Sequence, residues 1–287
     1  MAVFSGLLYG LLALFLLYLL LLRCKRRLRR WPLLTQYRYA HRGLHDEAAG
    51  IPENSLTAFR RAAEMGYGAE LDVHLTRDGR LVVIHDSDLT RLCGVSRQVE
   101  EMTAAELSGL RLRGTEEPIP FLEQVLPLFV DRQPLVIEMK VARNSVQLVD
   151  ALCAALEGYR GDYCVECFDP WALYVLRLRR PDCIRGQLSK KFAGDKHVHP
   201  LVGFLAGNLL LNWLSKPDFI AYRYGDRRNL SLRLCRKLYR VQEFSWTITD
   251  ARQQNCPACG CEAQRNPFPF WNKCCPCSWT VNRWSLR

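Results

Sequence analysis

Five short groups in this chain carry residue types able to do chemistry: H-R-G at 41–43, P-E-N-S at 52–55, E-L-D-V at 70–73, H-D at 85–86 and I-E-M-K at 137–140. Most lie at the end of a short apolar run, where a barrel or open sheet presents its working groups. Glu70 and Asp72 stand two apart on one strand and so point to the same face, within reach of a single hard cation. Glu138 lies inside the apolar run L-V-I-E-M-K, where an unpartnered carboxylate would cost several kcal/mol. It completes an oxygen-only set suited to Ca²⁺ or Mg²⁺, with no need of His or Cys. His41 and His85, whose ordinary pKa is about 6.5, form an acid/base pair for chemistry near neutral pH. Arg42 offers a forked contact to anionic oxygens and Lys140 a point charge beside it. Attack on a phosphodiester adds charge to its non-bridging oxygens and requires two proton transfers. This residue set meets both needs.

These groups have to be held by strands and helices, and the pattern from Trp31 onward is one of short apolar runs alternating with amphipathic segments. Tyr37–His41 reads as a first strand. Asn54 or Ser55 caps a helix with Leu56, Phe59, Ala62 and Ala63 on its apolar face, and Gly66 ends it. Strands follow at 68–73 and 80–85, joined by a turn at Asp78-Gly79. That connection is too short for a helical crossover, so a regular barrel is interrupted there. Residues 87–118 are polar and charge-rich, an inserted excursion with one amphipathic piece at 103–112. Then come a helix at 120–130, a strand at 135–140, helix 144–157, strand 162–168, helix 170–179, strand 184–188, helix 200–214, strand 218–223, helix 229–239 and strand 241–248. The alternation predicts a distorted TIM-type (β/α) barrel, with an open doubly wound sheet as the alternative. His45, His74, His197 and His199 attract no role. His74 is assigned to the strand face opposite Glu70 and Asp72.

The N-terminus differs in kind. Val3–Leu22 is a run of 20 residues without a charge, about 30 Å of helix and therefore the thickness of a bilayer core. Its basic residues follow the apolar run instead of preceding it, the reverse of a signal peptide. A single uncleaved transmembrane span is expected, with Arg23, Lys25, Arg26, Arg27, Arg29 and Arg30 and the catalytic domain on the cytoplasmic side. This cluster supplies much of the net charge of +11. The basicity therefore marks a membrane junction, and no nucleic-acid partner is expected.

The groups at 41–43, 52–55, 70–73, 85–86 and 137–140, with Trp246-Thr247 after them, resemble in order the motif series of glycerophosphodiester phosphodiesterases over about residues 38–250. The resemblance implies His41 and His85 as the catalytic histidines and Glu70, Asp72 and Glu138 as ligands of one divalent cation. It places Arg42 and Lys140 on the phosphoryl oxygens. Phe168 and Trp246 end later strands and are candidates to wall the glycerol pocket, Trp246 being the one carried into the site. The implied reaction is metal-dependent hydrolysis of a glycerophosphodiester to glycerol phosphate and an alcohol, within glycerophospholipid metabolism. A lysophospholipid is an equally good substrate for a tethered enzyme. The alternatives are a lysophospholipase D-like activity and an impaired, membrane-tethered module with a zinc-ribbon tail.

After Gln254 the composition breaks. Six of the chain's 13 cysteines fall in residues 255–287, where neither an apolar strand nor a periodic helix is evident. Cys256, Cys259, Cys274 and Cys277 have zinc-ribbon spacing. A missing closing segment would leave strand edges unpaired, and a change of reading frame explains the break more simply. Three units are expected: a membrane anchor and basic segment at 1–30, a barrel at 31–254 with the closing segment missing, and an aberrant Cys-rich tail at 255–287.

Overall fold

The computed structural model describes residues 2–25, 34, 36–248 and 270–273. Helix α1 (Ala2–Leu21) precedes the sheet domain. The strands are β1 (Tyr39–His41), β2 (Gly68–Leu75), β3 (Leu81–Val83), β4 (Leu135–Met139), β5 (Tyr163–Cys167), β6 (Arg185–Ser189), β7 (Phe219–Arg223), β8 (Gln242–Ile248) and β9 (Phe270–Lys273). β1, β2, β4, β5, β6, β7 and β8 pair in parallel in that order. β9 runs antiparallel to both β8 and β1 and bridges the gap between them. The curled sheet is that of a TIM-type barrel with seven parallel strands. An eighth parallel strand is not among the described residues.

β9 lies in a tail where no strand was expected. Its sequence, F-W-N-K, begins with two residues of high strand propensity, and the open edges of β1 and β8 offer it backbone partners. The four zinc-spaced cysteines and most of residues 255–287 lie outside the described residues.

Alternation along each strand divides the apolar residues into two layers. Leu71, Val73, Ile137, Met139 and Val165 belong to the core that also holds Phe59 of α2 (Leu56–Glu64), Leu148 and Leu152 of α6 (Ser145–Ala155) and Leu173 of α7 (Pro170–Arg179). Tyr39, Val136, Cys164, Leu188, Phe219, Ala221 and Phe244 form a second cluster that fills the barrel interior. Glu70, Asp72, Glu138 and Glu166 share strand parity with Val136 and Cys164. They are therefore interior residues set above an apolar floor.

The excursion at 87–118 holds the short helices α3 (Thr90–Cys93) and α4 (Ala104–Ser108) and has its own core of Leu89, Leu92, Val99, Met102, Leu107 and Leu112, packed against Val82 and Ile84 at β3. The helix expected at 120–130 is one turn of α-helix, α5 (Leu122–Val125), followed by a 3₁₀ turn. The expected helix at 200–214 is two, α8 (Pro200–Gly207) and α9 (Asn212–Ser215). Leu209, at φ 59, takes a left-handed conformation that stops the first of them. The last helix is α10 (Leu230–Leu238).

Candidate active site

β1 ends at His41, and the chain turns sharply through Arg42 (φ 58) and Gly43 (φ 77). The turn is held on both sides: the Arg42 amide donates to Glu70 Oε2 at 2.9 Å, and its carbonyl accepts from the Asn54 amide at 2.9 Å. A left-handed arginine is uncommon and persists where surrounding contacts fix it. A Cβ on Gly43 would stand 2.9 Å from Ala58 Cβ, in a conformation that side chains rarely adopt. Gly43→Ala is thus expected to cost roughly 2–4 kcal/mol through strain and overpacking. Thermal unfolding checks it, and a stability within 0.5 kcal/mol of the parent, roughly the scatter of surface substitutions, contradicts it.

Asn54 and Ser55 have separate jobs. Ser55 is the N-cap of α2, accepting from the Ala58 amide, while Asn54 Nδ2 donates to Asp72 Oδ2 at 2.8 Å. Glu53 receives Arg42 at 3.0 Å and Arg91 from α3 at 2.7 Å. The inserted excursion thereby braces the arginine of the first turn.

Parallel register brings the acids together. Asp72 on β2 is level with Glu138 on β4, which is level with Glu166 on β5. Glu70, Asp72 and Glu166 are fully buried and Glu138 is 6% exposed. Oxygen atoms of Glu70, Glu138 and Glu166 all lie within 4.8 Å of one another. Oxygens at 2.3–2.6 Å from one calcium ion span up to about 5 Å. Among the described residues, neither Glu166 oxygen has a hydrogen-bond partner, nor has Glu70 Oε1. Asp72, also expected as a ligand, lies beside them with Lys140 Nζ 3.0 Å from its Oδ1 and Arg42 Nε 3.6 Å from its Oδ2. Lys140 also reaches Glu138 at 2.7 Å. Four interior carboxylates face two cationic side chains, so their full ionisation would leave two negative charges uncompensated in a buried space. That donor set fits one hard divalent cation.

The electrostatics express the same imbalance. Burial pushes Glu138 up to about 7, only partly offset by Lys140. Burial also pushes Glu70 and Glu166 well up, reinforced by the neighbouring carboxylates. Burial acts on Asp72 in the same sense, but Lys140, His85 and Arg42 overcome it and hold that carboxyl well below the usual range. His41 is pushed down to about 3 by burial and then by Arg42, and its Nε2 lies 4.0 Å from Glu70 Oε2. His85 is lowered by burial too, and its Nδ1 donates to Asp86 Oδ1 at 2.6 Å, which leaves Nε2 as the free nitrogen.

His74 corrects an expectation. β2 is regular to Leu75, so the period of two puts His74 on the face of Glu70 and Asp72 and not opposite them. Its ring is held between Glu100 at 2.6 Å and the His85 carbonyl at 3.1 Å. It therefore fixes the backbone of one histidine from within the site. Spacing alone, with 70, 72 and 74 sharing parity, carried that signal. Glu166 was missed as well, although C-V-E-C repeats the pattern of an acid inside an apolar run that marked Glu138.

A cleft of about 300 Å³ opens over this constellation, lined by His74, Glu138, Lys140 and Phe168 among others. Trp246 meets Phe168 edge-on with ring centroids 5.7 Å apart. Its indole nitrogen is buried without a partner among the described residues.

The profile of the glycerophosphoryl diester phosphodiesterase family matches residues 41–219. The chain belongs to this family. A glycerophosphodiester phosphodiesterase of Caldanaerobacter subterraneus is 41% identical over 109 residues, covering 35% of this chain and 44% of that protein. A lysophospholipase D of Rattus norvegicus is 33% identical over 105 residues, covering 32% of this chain and 33% of its own length. The chain thus spans less than half the length of these relatives. Among solved structures, the glycerophosphodiester phosphodiesterase of Thermotoga maritima aligns at 26% identity with a TM-score of 0.57, covering 75% of this chain and 87% of that one. An Oleispira antarctica phosphodiesterase in complex with sn-glycerol-3-phosphate shares the fold at 19% identity and a TM-score of 0.60, covering 75% and 85%.

Proposed function

We propose that the chain hydrolyses a glycerophosphodiester to glycerol phosphate and an alcohol with the help of one divalent cation, Ca²⁺ or Mg²⁺. The observation that carries this reading is the convergence of His41, His85, Arg42 and Lys140 on a buried group of carboxylates that outnumber the cations facing them. Glu70, Glu138 and Glu166 would hold the cation, with Asp72 beside them, and Lys140 and Arg42 keep Asp72 ionised. When bound, the cation supplies positive charge for the non-bridging oxygens of the phosphoryl group. Arg42 and Lys140 orient the same group through charge-assisted hydrogen bonds. His85, with Asp86 on Nδ1, presents Nε2 to one oxygen of the ester, and His41 serves the other. One imidazole takes the proton of the attacking oxygen and the other protonates the departing alcohol. Phe168 and Trp246 supply an apolar wall for the glycerol carbons.

In this reading α1, 20 residues long and without a charged side chain, spans a bilayer once, with Arg23, Lys25 and the barrel on the cytoplasmic side. The likeness to a lysophospholipase D supports a substrate that carries an acyl chain.

The test is turnover of glycerophosphocholine by the full chain with and without chelator, alongside calorimetric titration of Ca²⁺ and Mg²⁺. Turnover is expected to vanish on chelation and return with cation. Glu166→Gln is expected to weaken cation binding about 10- to 100-fold, the range seen when groups around a metal are removed. Turnover that ignores the chelator would exclude the cation, and unchanged affinity in Glu166→Gln would exclude that residue as a ligand.

A further inference from the structure

α1 enters the fold only with its last turn. Tyr18 Oη and Ser231 Oγ are 2.8 Å apart, Tyr239 Oη donates to the Leu19 carbonyl at 2.6 Å, and the Lys25 amide donates to the Pro217 carbonyl at 2.9 Å. Leu22 is buried with Ile220, Leu232 and Cys235. Ser231 belongs to the first turn of α10, at the end of the barrel where the strands finish and the cleft opens. Pro217 precedes β7, at the opposite end. Between residues 18 and 25 the chain therefore runs alongside α10 towards the far end, and residues 2–17 extend in the direction of the cleft end.

Those 16 residues make about 24 Å of helix, short of the roughly 30 Å of a bilayer core. A span that uses α1 must draw the hydrocarbon boundary down past the level of Tyr18, onto the barrel rim. The rim beside it is built for that contact. α8 lies along it, since the Gly207 carbonyl at the helix end accepts from Asn229 next to α10. α8 leaves Leu201, Val202 and Phe204 exposed by 60%, 50% and 60%, and Leu230 at the start of α10 is 61% exposed. Lys191, Lys196 and Arg228 are exposed around them, a charge pattern complementary to anionic head groups. Between α8 and the segment joining β7 to α10 lies a cavity of about 620 Å³ with Phe192, Val198, Phe204 and Tyr222 on its apolar side and Lys191, Asp195, Asp226 and Arg228 on its polar side. Phe192 stands edge-on to Phe168 of the catalytic cleft at 6.2 Å.

We propose that the rim formed by α8 and the β7–α10 loop is seated in an anionic bilayer surface, so that the cleft draws its substrate, a glycerophosphodiester carrying an acyl chain, from the membrane itself. This rests on the reading of α1 as a membrane span. It adds which end of the barrel meets the lipid and through which residues. The cavity beside Phe192 receives hydrocarbon, and Phe192 and Phe168 form an apolar path from it to the cleft.

The full chain in phosphatidylcholine–phosphatidylglycerol proteoliposomes provides the test. A fluorescent amino acid is incorporated at Val202, or at the exposed Leu178 near the end of α7 on the opposite end of the barrel as control. Shallow nitroxide-labelled lipids are expected to quench the first and not the second. The double substitution Leu201→Asp with Val202→Asp is expected to lower kcat/KM for a lysophospholipid held in vesicles by about 10-fold or more, as loss of apolar contact with the membrane would, and to leave turnover of soluble glycerophosphocholine unchanged. Equal quenching at the two positions, or signals that depend on protein concentration and not on lipid, would overturn the seating; the latter would indicate self-association. Release of the chain by carbonate would remove the span and the seating together. A chain that stays in the membrane with Val202 unquenched would remove the seating alone. A chain quenched at Val202 but inactive on either substrate would sink the phosphodiesterase reading and leave the surface standing.

Discussion

Alanine at His85 or at His41 is expected to lower kcat on glycerophosphocholine by about 10²- to 10⁴-fold, the usual worth of a positioned proton-transfer group, while the thermal midpoint moves little. Neither imidazole is a packing residue: 31% of the His85 side chain and 16% of the His41 side chain are exposed in the cleft. Both are lowered, chiefly by burial, with Asp72 opposing the shift, so both are neutral at pH 7 before substrate arrives. Arg42 and Lys140 act on each of them in that direction. A phosphodiester brings a negative charge to these same two cations and offsets their repulsion, which makes protonation of one imidazole easier in the complex. The acidic limb of the kcat profile is therefore expected to lie above that of kcat/KM. Near-normal kcat in either alanine variant removes that histidine from the proton transfers, and coincident acidic limbs contradict the electrostatic argument.

Without a divalent cation, the protein is expected to lose stability as the pH rises from 5 to 8, by on the order of 3 kcal/mol from Glu138 alone. Its carboxyl stands at about 7 in the folded protein against an ordinary 4.5. Below 4.5 it is protonated whether the chain is folded or not, and the folded state bears no penalty. Between 4.5 and 7 the unfolded chain releases the proton while the folded chain keeps it, so stability falls with rising pH and levels off above 7. Glu70 and Glu166 are raised by the same burial and act in the same sense. Saturating Ca²⁺ or Mg²⁺ is expected to flatten the fall, because the cation favours the ionised carboxylates. Glu138→Gln removes part of the slope and weakens the cation. Calorimetric midpoints in chelator and in cation between pH 5 and 8 decide the matter. A chelated protein whose midpoint stays flat or rises over that range contradicts the buried-carboxylate account.

Some of this could be read before any fold was known. Glu70 and Asp72 share a strand face because strands repeat every two residues, and the β/α alternation announced the barrel class. The same rule, applied one step further, would have placed His74 with them. Glu166 sits in an apolar run as Glu138 does, yet no cation beside it in sequence drew attention to it as Lys140 did to Glu138. The division of work between Asn54 and Ser55 was beyond sequence, since both residue types cap helices equally well. The turn at Leu209 was hidden too, because neither glycine nor proline marks it.

By itself the sequence determined which residues could transfer protons, carry charge to phosphate and supply oxygens to a cation, and it determined that a 20-residue charge-free helix precedes them. Those are properties of side-chain chemistry and local period. Only the tertiary structure brought Glu166 within reach of Glu70 and Glu138, set Lys140 between Asp72 and Glu138, and joined the last turn of α1 to α10. All three depend on register and packing between segments separated by many residues, which local patterns do not encode.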